Sequence, residues 1–173
     1  MRNLIIAFVM MLLPSVFYAQ TTAFNKFEDN NVITAVIVSK KMFELMGNVK
    51  LDAKDQEAQQ YLKLVKKLDN LKVFTTTNGK AIADMKSTVD GYLKKNPLEE
   101  LMRINDAGRN VKIYVKSGAT SSQVKELLMF IEGGKQETVL MSLTGNFDLN
   151  EITVLTDKMN LPGGNELKKA SKK

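Results

Sequence analysis

Apolar and polar positions along the chain alternate between the spacing of strands and the spacing of helices. Residues 32–38 form a β-branched apolar run without clean alternation, which predicts a strand in the middle of a sheet, covered on both faces. Ser39 is suited to cap a short helix that Gly47 ends. From Ala58 to Leu68 the apolar residues recur at helical spacing, which predicts an amphipathic helix.

A second strand is predicted over residues 71–77, and helical spacing then resumes until Pro97. The strands predicted beyond this proline cover residues 98–104, 111–116, 126–132 and 137–144. Thr120 to Gln123 resembles a capping box, so a helix is the alternative to a strand for residues 124–131. We favour a strand because the hairpin over residues 126–144 needs a partner for its second half.

This order of elements predicts an α+β fold. We expect a largely antiparallel sheet of about six strands with helices packed on one face. A last helix opens at Asp148 and ends at Pro162. At 173 residues the chain is long enough for one domain, which we place at residues 20–162.

The amino terminus has the pattern of a secretory signal. Arg2 precedes an uninterrupted apolar run from Leu4 to Leu13, and Ala19 is a small residue where a signal peptidase can cut. The run is too short for a membrane span, which needs about twenty residues. We therefore predict a signal peptide over residues 1–19 and a soluble exported protein, periplasmic or extracellular.

Charge is concentrated at the carboxyl terminus. The formal net charge is +6, and residues 163–173 hold four lysines and one glutamate. Without the signal peptide and this segment, residues 20–162 carry only about +2, which argues against a nucleic-acid-binding face. We expect residues 163–173 to be a basic disordered tail.

The chain contains no histidine and no cysteine. This excludes a Ser-His-Asp triad, a thiol nucleophile, a zinc finger and a histidine-ligated haem. It also excludes disulfides and the cysteine to which bacterial lipoproteins attach lipid. No cofactor is predicted.

Asp148, Asn150 and Glu151 place three oxygen-bearing side chains within four residues and are candidate ligands for calcium or magnesium. The chain supplies neither further carboxylates at the spacing of a calcium loop nor its glycine. We therefore favour a capping box, in which Asp148 caps the helix and Glu151 reaches back.

Two acidic pairs, Glu99-Glu100 and Glu28-Asp29, are candidates for acid–base catalysis. Adjacent residues of a strand point to opposite faces, so Glu99 and Glu100 cannot hold one substrate together. We favour solvated charges that protect a strand edge. No catalytic residue is predicted.

Four segments resemble an exported family of Gram-negative bacteria known as domain of unknown function 4252. They are residues 34–43 (TAVIVSKKMF), 71–75 (LKVFT), 111–115 (VKIYV) and 143–149 (LTGNFDL). The resemblance spans nearly all of the chain after the signal. It implies export and a compact α+β domain, and it carries no assigned activity or site residue. Many members resemble lipoproteins, and this chain differs by lacking the cysteine.

These observations favour a non-catalytic exported domain that binds or adapts another component of the cell envelope. One alternative is a sensor module linked to envelope stress or sigma factors. A second is a hydrolase or lyase that uses carboxylates. The ligand, the partner and the oligomeric state are left open.

If the leader is removed as predicted, protein isolated from its native host begins at Gln20. Mass spectrometry of the intact protein from the envelope fraction measures this directly. Recovery of the chain with Met1 to Ala19 still attached, in the cytosolic fraction, would contradict the predicted export.

Overall fold

The structure is a computed structural model that describes residues 22–49, 54–106, 108–120, 122–134 and 136–170. The predicted signal peptide lies outside the described residues. None of the helices in the described ranges has the length and apolar character that a membrane span requires.

Six strands form one antiparallel sheet, with the spatial order β1-β2-β6-β5-β4-β3. Their bounds are β1 Thr34–Ser39, β2 Leu68–Thr76, β3 Glu99–Asp106, β4 Arg109–Ser117, β5 Gln123–Glu132 and β6 Thr138–Asp148. The predicted α+β class and the antiparallel sheet are confirmed. The ambiguous segment 124–131 is a strand, because β5 pairs with both β4 and β6.

Polar side chains cap the start of three of the described helices. Their bounds are α1 Lys40–Gly47, α2 Gln56–Val65, α3 Gly79–Lys95, α4 Ile152–Met159 and α5 Gly164–Ala170, with single 3₁₀ turns at Asn25–Phe27 and Leu149–Glu151. The Ser39 hydroxyl accepts a hydrogen bond from the Met42 amide at 3.4 Å, which confirms the predicted cap. Asn78 caps α3 in the same way.

Helices cover both faces of the sheet, so the prediction of helices on one face is wrong. In β5, Leu127, Met129 and Ile131 face a core formed with α1, α2, α4 and α5. Leu128 and Phe130 face a second core, formed with α3 and the turn Asn25–Phe27. The central strands are apolar on both sides, and each side must be removed from water.

Strand β1 is an edge strand, which corrects the prediction that residues 32–38 lie in the middle of the sheet. Val36 and Ile37 are 47% and 43% exposed. The composition of β1 is that of a covered strand, but its position depends on pairing with β2, which local composition does not encode.

The expected disordered tail is wrong for residues 164–170, which form α5. Leu167 and Ala170 are buried in the first core, and the Arg109 guanidinium donates to Glu166 at 2.8 Å. Gly163 permits this approach, because its φ is +85° and a Cβ there would lie 2.4 Å from Met129 Cε. The apolar positions of α5, rather than its lysines, determine its location.

Replacing Gly163 with alanine tests this approach. We expect Gly163→Ala to lower the free energy of unfolding by about 1–3 kcal/mol, because alanine is strained at positive φ and overlaps Met129 and Ile131. Gly79→Ala is the matched control. It adds a methyl group in open space at the first residue of α3 and should be neutral or stabilising. Urea unfolding measures both, and equal effects would contradict the role of Gly163.

Candidate functional site

The residues predicted as a metal site or helix cap form a capping box at the end of β6. The Asp148 carboxylate accepts hydrogen bonds from the Asn150 amide and side chain, each at 2.8 Å. The Glu151 carboxylate accepts from the Asp148 amide at 3.4 Å and pairs with Lys67 at 2.8 Å. The hydrogen bond from the Asn150 backbone is the main reason that the pKa of Asp148 is lowered. All three side chains serve the helix start.

The other predicted carboxylates are separated. Glu100 pairs with Arg103 on the edge strand β3, as expected for a charge that protects an edge. Glu28 instead pairs with the buried Lys72 of β2 at 2.6 Å, and Asn25 accepts from the same ammonium. This contact holds the amino-terminal turn against the second face of the sheet. Within the described ranges, no group of three acidic residues is placed to hold a metal ion.

A buried carboxyl that the sequence analysis missed lies beneath α3. Glu126 of β5 is 1% exposed, and the Tyr92 hydroxyl of α3 donates to its Oε1 at 2.5 Å. Its Oε2 is buried and has no hydrogen-bond partner among the described residues. The signal was available in the sequence, because Glu126 shares its strand face with the apolar Leu128 and Phe130.

Burial governs the protonation of this pair. Removal from water raises the pKa of Glu126, and the Tyr92 hydrogen bond and the charge of Lys116 oppose that rise. Burial and the neighbouring carboxyl likewise raise the pKa of Tyr92. Burial therefore favours the protonated form of Glu126, whereas the Tyr92 hydrogen bond favours the carboxylate. Helix α3 covers Glu126 and Tyr92, so we expect the protonation of this pair to affect the stability of the fold.

An apolar groove opens on the face of the sheet that packs against α1, α2, α4 and α5, beside the edge strand β1. It has a volume of about 270 Å³. Strands β1 and β2 form its floor, and the segment between α4 and α5 forms its wall. Its lining residues are Thr34, Val36, Val73, Thr75, Glu137, Met159, Asn160, Leu161 and Pro162. These come from distant parts of the chain, so no local motif marks the groove.

Two further concavities lie elsewhere on the described part of the chain, and only the first has a mainly polar surface. One, beside Arg109, contains the ion pair with Glu166. The other is lined by residues that include Asn30, Asn78 and Asp84. Asn30 accepts from a backbone amide, Asn78 caps α3 and Asp84 pairs with Lys26. The concavity beside Asn78 and the groove at β1 both expose mainly apolar surface. Among these described concavities, the groove at β1 differs in being lined by two strands of the sheet, one of them an edge strand.

The buried carboxyl predicts a specific pH dependence of stability. Folding raises the pKa of Glu126. The carboxyl therefore makes its full contribution to stability at pH values below its pKa in the unfolded chain. This contribution is lost as pH rises from about 4.5 through the folded value. The difference in stability between wild type and Glu126→Gln should therefore change across this range, by at most about 1.4 kcal/mol per pH unit. Urea unfolding from pH 4 to 8 measures it.

Two comparisons make this test specific. Tyr92→Phe removes the donor and should lower stability by about 1–3 kcal/mol, because Glu126 Oε1 then loses its hydrogen bond. Glu132→Gln changes a partly exposed carboxyl that pairs with Lys86 and should leave the difference much smaller. Parallel pH profiles for wild type and Glu126→Gln would show that Glu126 titrates normally.

One family model, described as Domain of unknown function (DUF4252), matches residues 27–155. The match begins at the buried Phe27 and ends at the buried Leu155, so it includes all six strands, α1 to α3, and half of α4. No match was found among curated proteins or among solved structures. The resemblance seen in the sequence is confirmed, and the chain belongs to the DUF4252 family.

Proposed function

We propose that the protein is an exported, non-catalytic binding domain of the cell envelope that takes an apolar segment of a protein partner into the groove beside β1. The observation that carries this proposal is the apolar floor and wall of the groove. Binding sites are commonly concave and mainly apolar, with a few polar groups that orient the ligand. Here those polar groups are Thr34, Thr75, Glu137 and Asn160. Export rests on the amino-terminal pattern.

The arrangement of titratable groups supports binding over catalysis. Among the described residues, Glu137 is the one carboxyl that lines the groove, whereas carboxylate-dependent hydrolysis commonly needs two groups facing one substrate. The buried Glu126 lies on the opposite face of the sheet, beneath α3. A substrate in the groove is therefore separated from it by the thickness of the sheet.

Filling the groove tests the proposal. Thr34 is exposed and lines the groove, so Thr34→Trp should occupy the site at little cost to folding. We expect it to reduce recovery of envelope partners by about tenfold or more, a loss of at least about 1.4 kcal/mol. Tagged protein incubated with envelope extract, followed by quantitative mass spectrometry, measures the recovery.

Ser117→Trp is the matched control, because Ser117 is an exposed residue at the end of β4, on a strand that does not line the groove. It should recover the same partners as wild type. Repeated failure of the wild type to recover any partner, or equal recovery by Thr34→Trp, would overturn the proposal.

A further inference from the structure

The two edges of the sheet are built differently. Edge strand β3 carries Glu99, Glu100 and Arg103, and its register with β4 is interrupted after Glu100. Charges and irregular register are devices that prevent an edge from pairing with another strand. Edge strand β1, TAVIVS, has no charge and no proline, and its register with β2 is uninterrupted from Thr34 to Ser39. The β1 edge is therefore competent to pair.

Exposed apolar side chains cluster at the same place. In the described part of the chain, the large hydrophobic residues that remain exposed are Val32, Val36, Ile37, Met42, Leu45 and Val49. All fall in one stretch that contains β1 and α1. Val36 and Ile37 point to opposite faces of the sheet, so one added strand would cover both together. This arrangement also accounts for a strand whose composition is typical of a sheet interior.

Charged residues on either side of β1 indicate which strand pairs with this edge. The acidic Asp29 precedes the strand, and Lys40 and Lys41 follow it. Glu28 is already paired with the buried Lys72 within its own chain. The two lysine side chains keep 66% and 78% of their surface exposed, although each has an acidic neighbour within its own chain. An antiparallel copy of the segment brings its basic end beside the acidic end of the first. A parallel copy would bring like charges together.

We propose that a second copy of this chain docks on the β1 edge, with β1 pairing antiparallel to β1 around a twofold axis. The two six-stranded sheets then form one continuous sheet. Directly opposed residues of antiparallel strands share a face of the sheet. At the twofold axis, one residue of β1 must therefore lie directly opposite the same residue of the second copy. We place this residue at one of the two exposed apolar positions, Val36 or Ile37. Such an interface is self-complementary, as a twofold requires.

This pairing goes beyond the proposed binding function and does not depend on the occupant of the groove. Thr34 and Val36 form the β1 side of that groove. A strand added in the plane of the sheet leaves the groove open from above. It places the side chains of the second copy along the groove's outer margin. The dimer would therefore carry two grooves, each bordered by both copies.

The absence of cysteine from the chain permits a direct test. Opposed residues of antiparallel strands have Cα atoms about 4.5–5.5 Å apart, within the roughly 4.4–6.8 Å that a disulfide spans. Under mild oxidation, either Val36→Cys or Ile37→Cys should therefore form a cross-linked dimer. Thr34→Cys should not, because its own counterpart lies about 13 Å or more away in either register. Arg103→Cys on the β3 edge is the second control.

Solution mass gives an independent readout. At about 10 μM, light scattering after gel filtration should show a dimer for wild type and for Ile37→Val, as expected for a micromolar dissociation constant. Ile37→Glu should be monomeric, because it brings two carboxylates together across the axis. Its neighbour on β2 is Lys72, so the change is compatible with the folded monomer. Far-UV circular dichroism checks that fold.

Three results would overturn the inference. One is a monomeric wild type that forms no cross-link at position 36 or 37. Another is cross-linking of Thr34→Cys as efficient as that at the axis, which indicates parallel or random contact. The third is equal cross-linking at position 103, which shows that the two edges do not differ.

Discussion

The fold depends on a sheet whose central strands are apolar on both faces. In β5 and β6 successive residues point to opposite sides, yet residues 127–131 and 139–141 are buried throughout. Removing both sides from water requires two separate covers. One comes from α1, α2, α4 and α5, and the other from α3 with the amino-terminal turn. The remaining features of the molecule follow from how these two covers are attached.

The second cover is smaller and depends on aromatic and polar contacts. Phe24 contacts the Tyr92 ring with 5.1 Å between centroids, and Phe27 contacts Phe74 at 5.6 Å. The buried ion pair between Lys72 and Glu28 adds a charged contact from the sheet to the same turn. Breaking a buried pair by removing one partner leaves an uncompensated charge. The amino-terminal turn is therefore attached by both packing and charge.

Local signals in the sequence predicted most of the strands and helices, but they missed α5 and did not give the positions of the elements in the fold. Ser39 and Asp148 were recognisable as caps because capping depends on residues three or four positions apart. The strand identity of residues 124–131 followed from the hairpin. The edge position of β1 and the docking of α5 through Leu167 depend on contacts between distant segments, which periodicity does not report. The groove has the same origin, since its lining spans residues 34 to 162.

The burial of Phe24 bears on the order of events during maturation. Phe24 is 1% exposed, and only four residues separate it from the predicted cut after Ala19. A spacer of four residues extends at most about 14 Å, so a folded domain would crowd the peptidase at the bilayer surface. Cleavage should therefore precede docking of the amino-terminal turn. For the predicted cut after Ala19, burial of the Phe24 ring would then follow removal of residues 1–19.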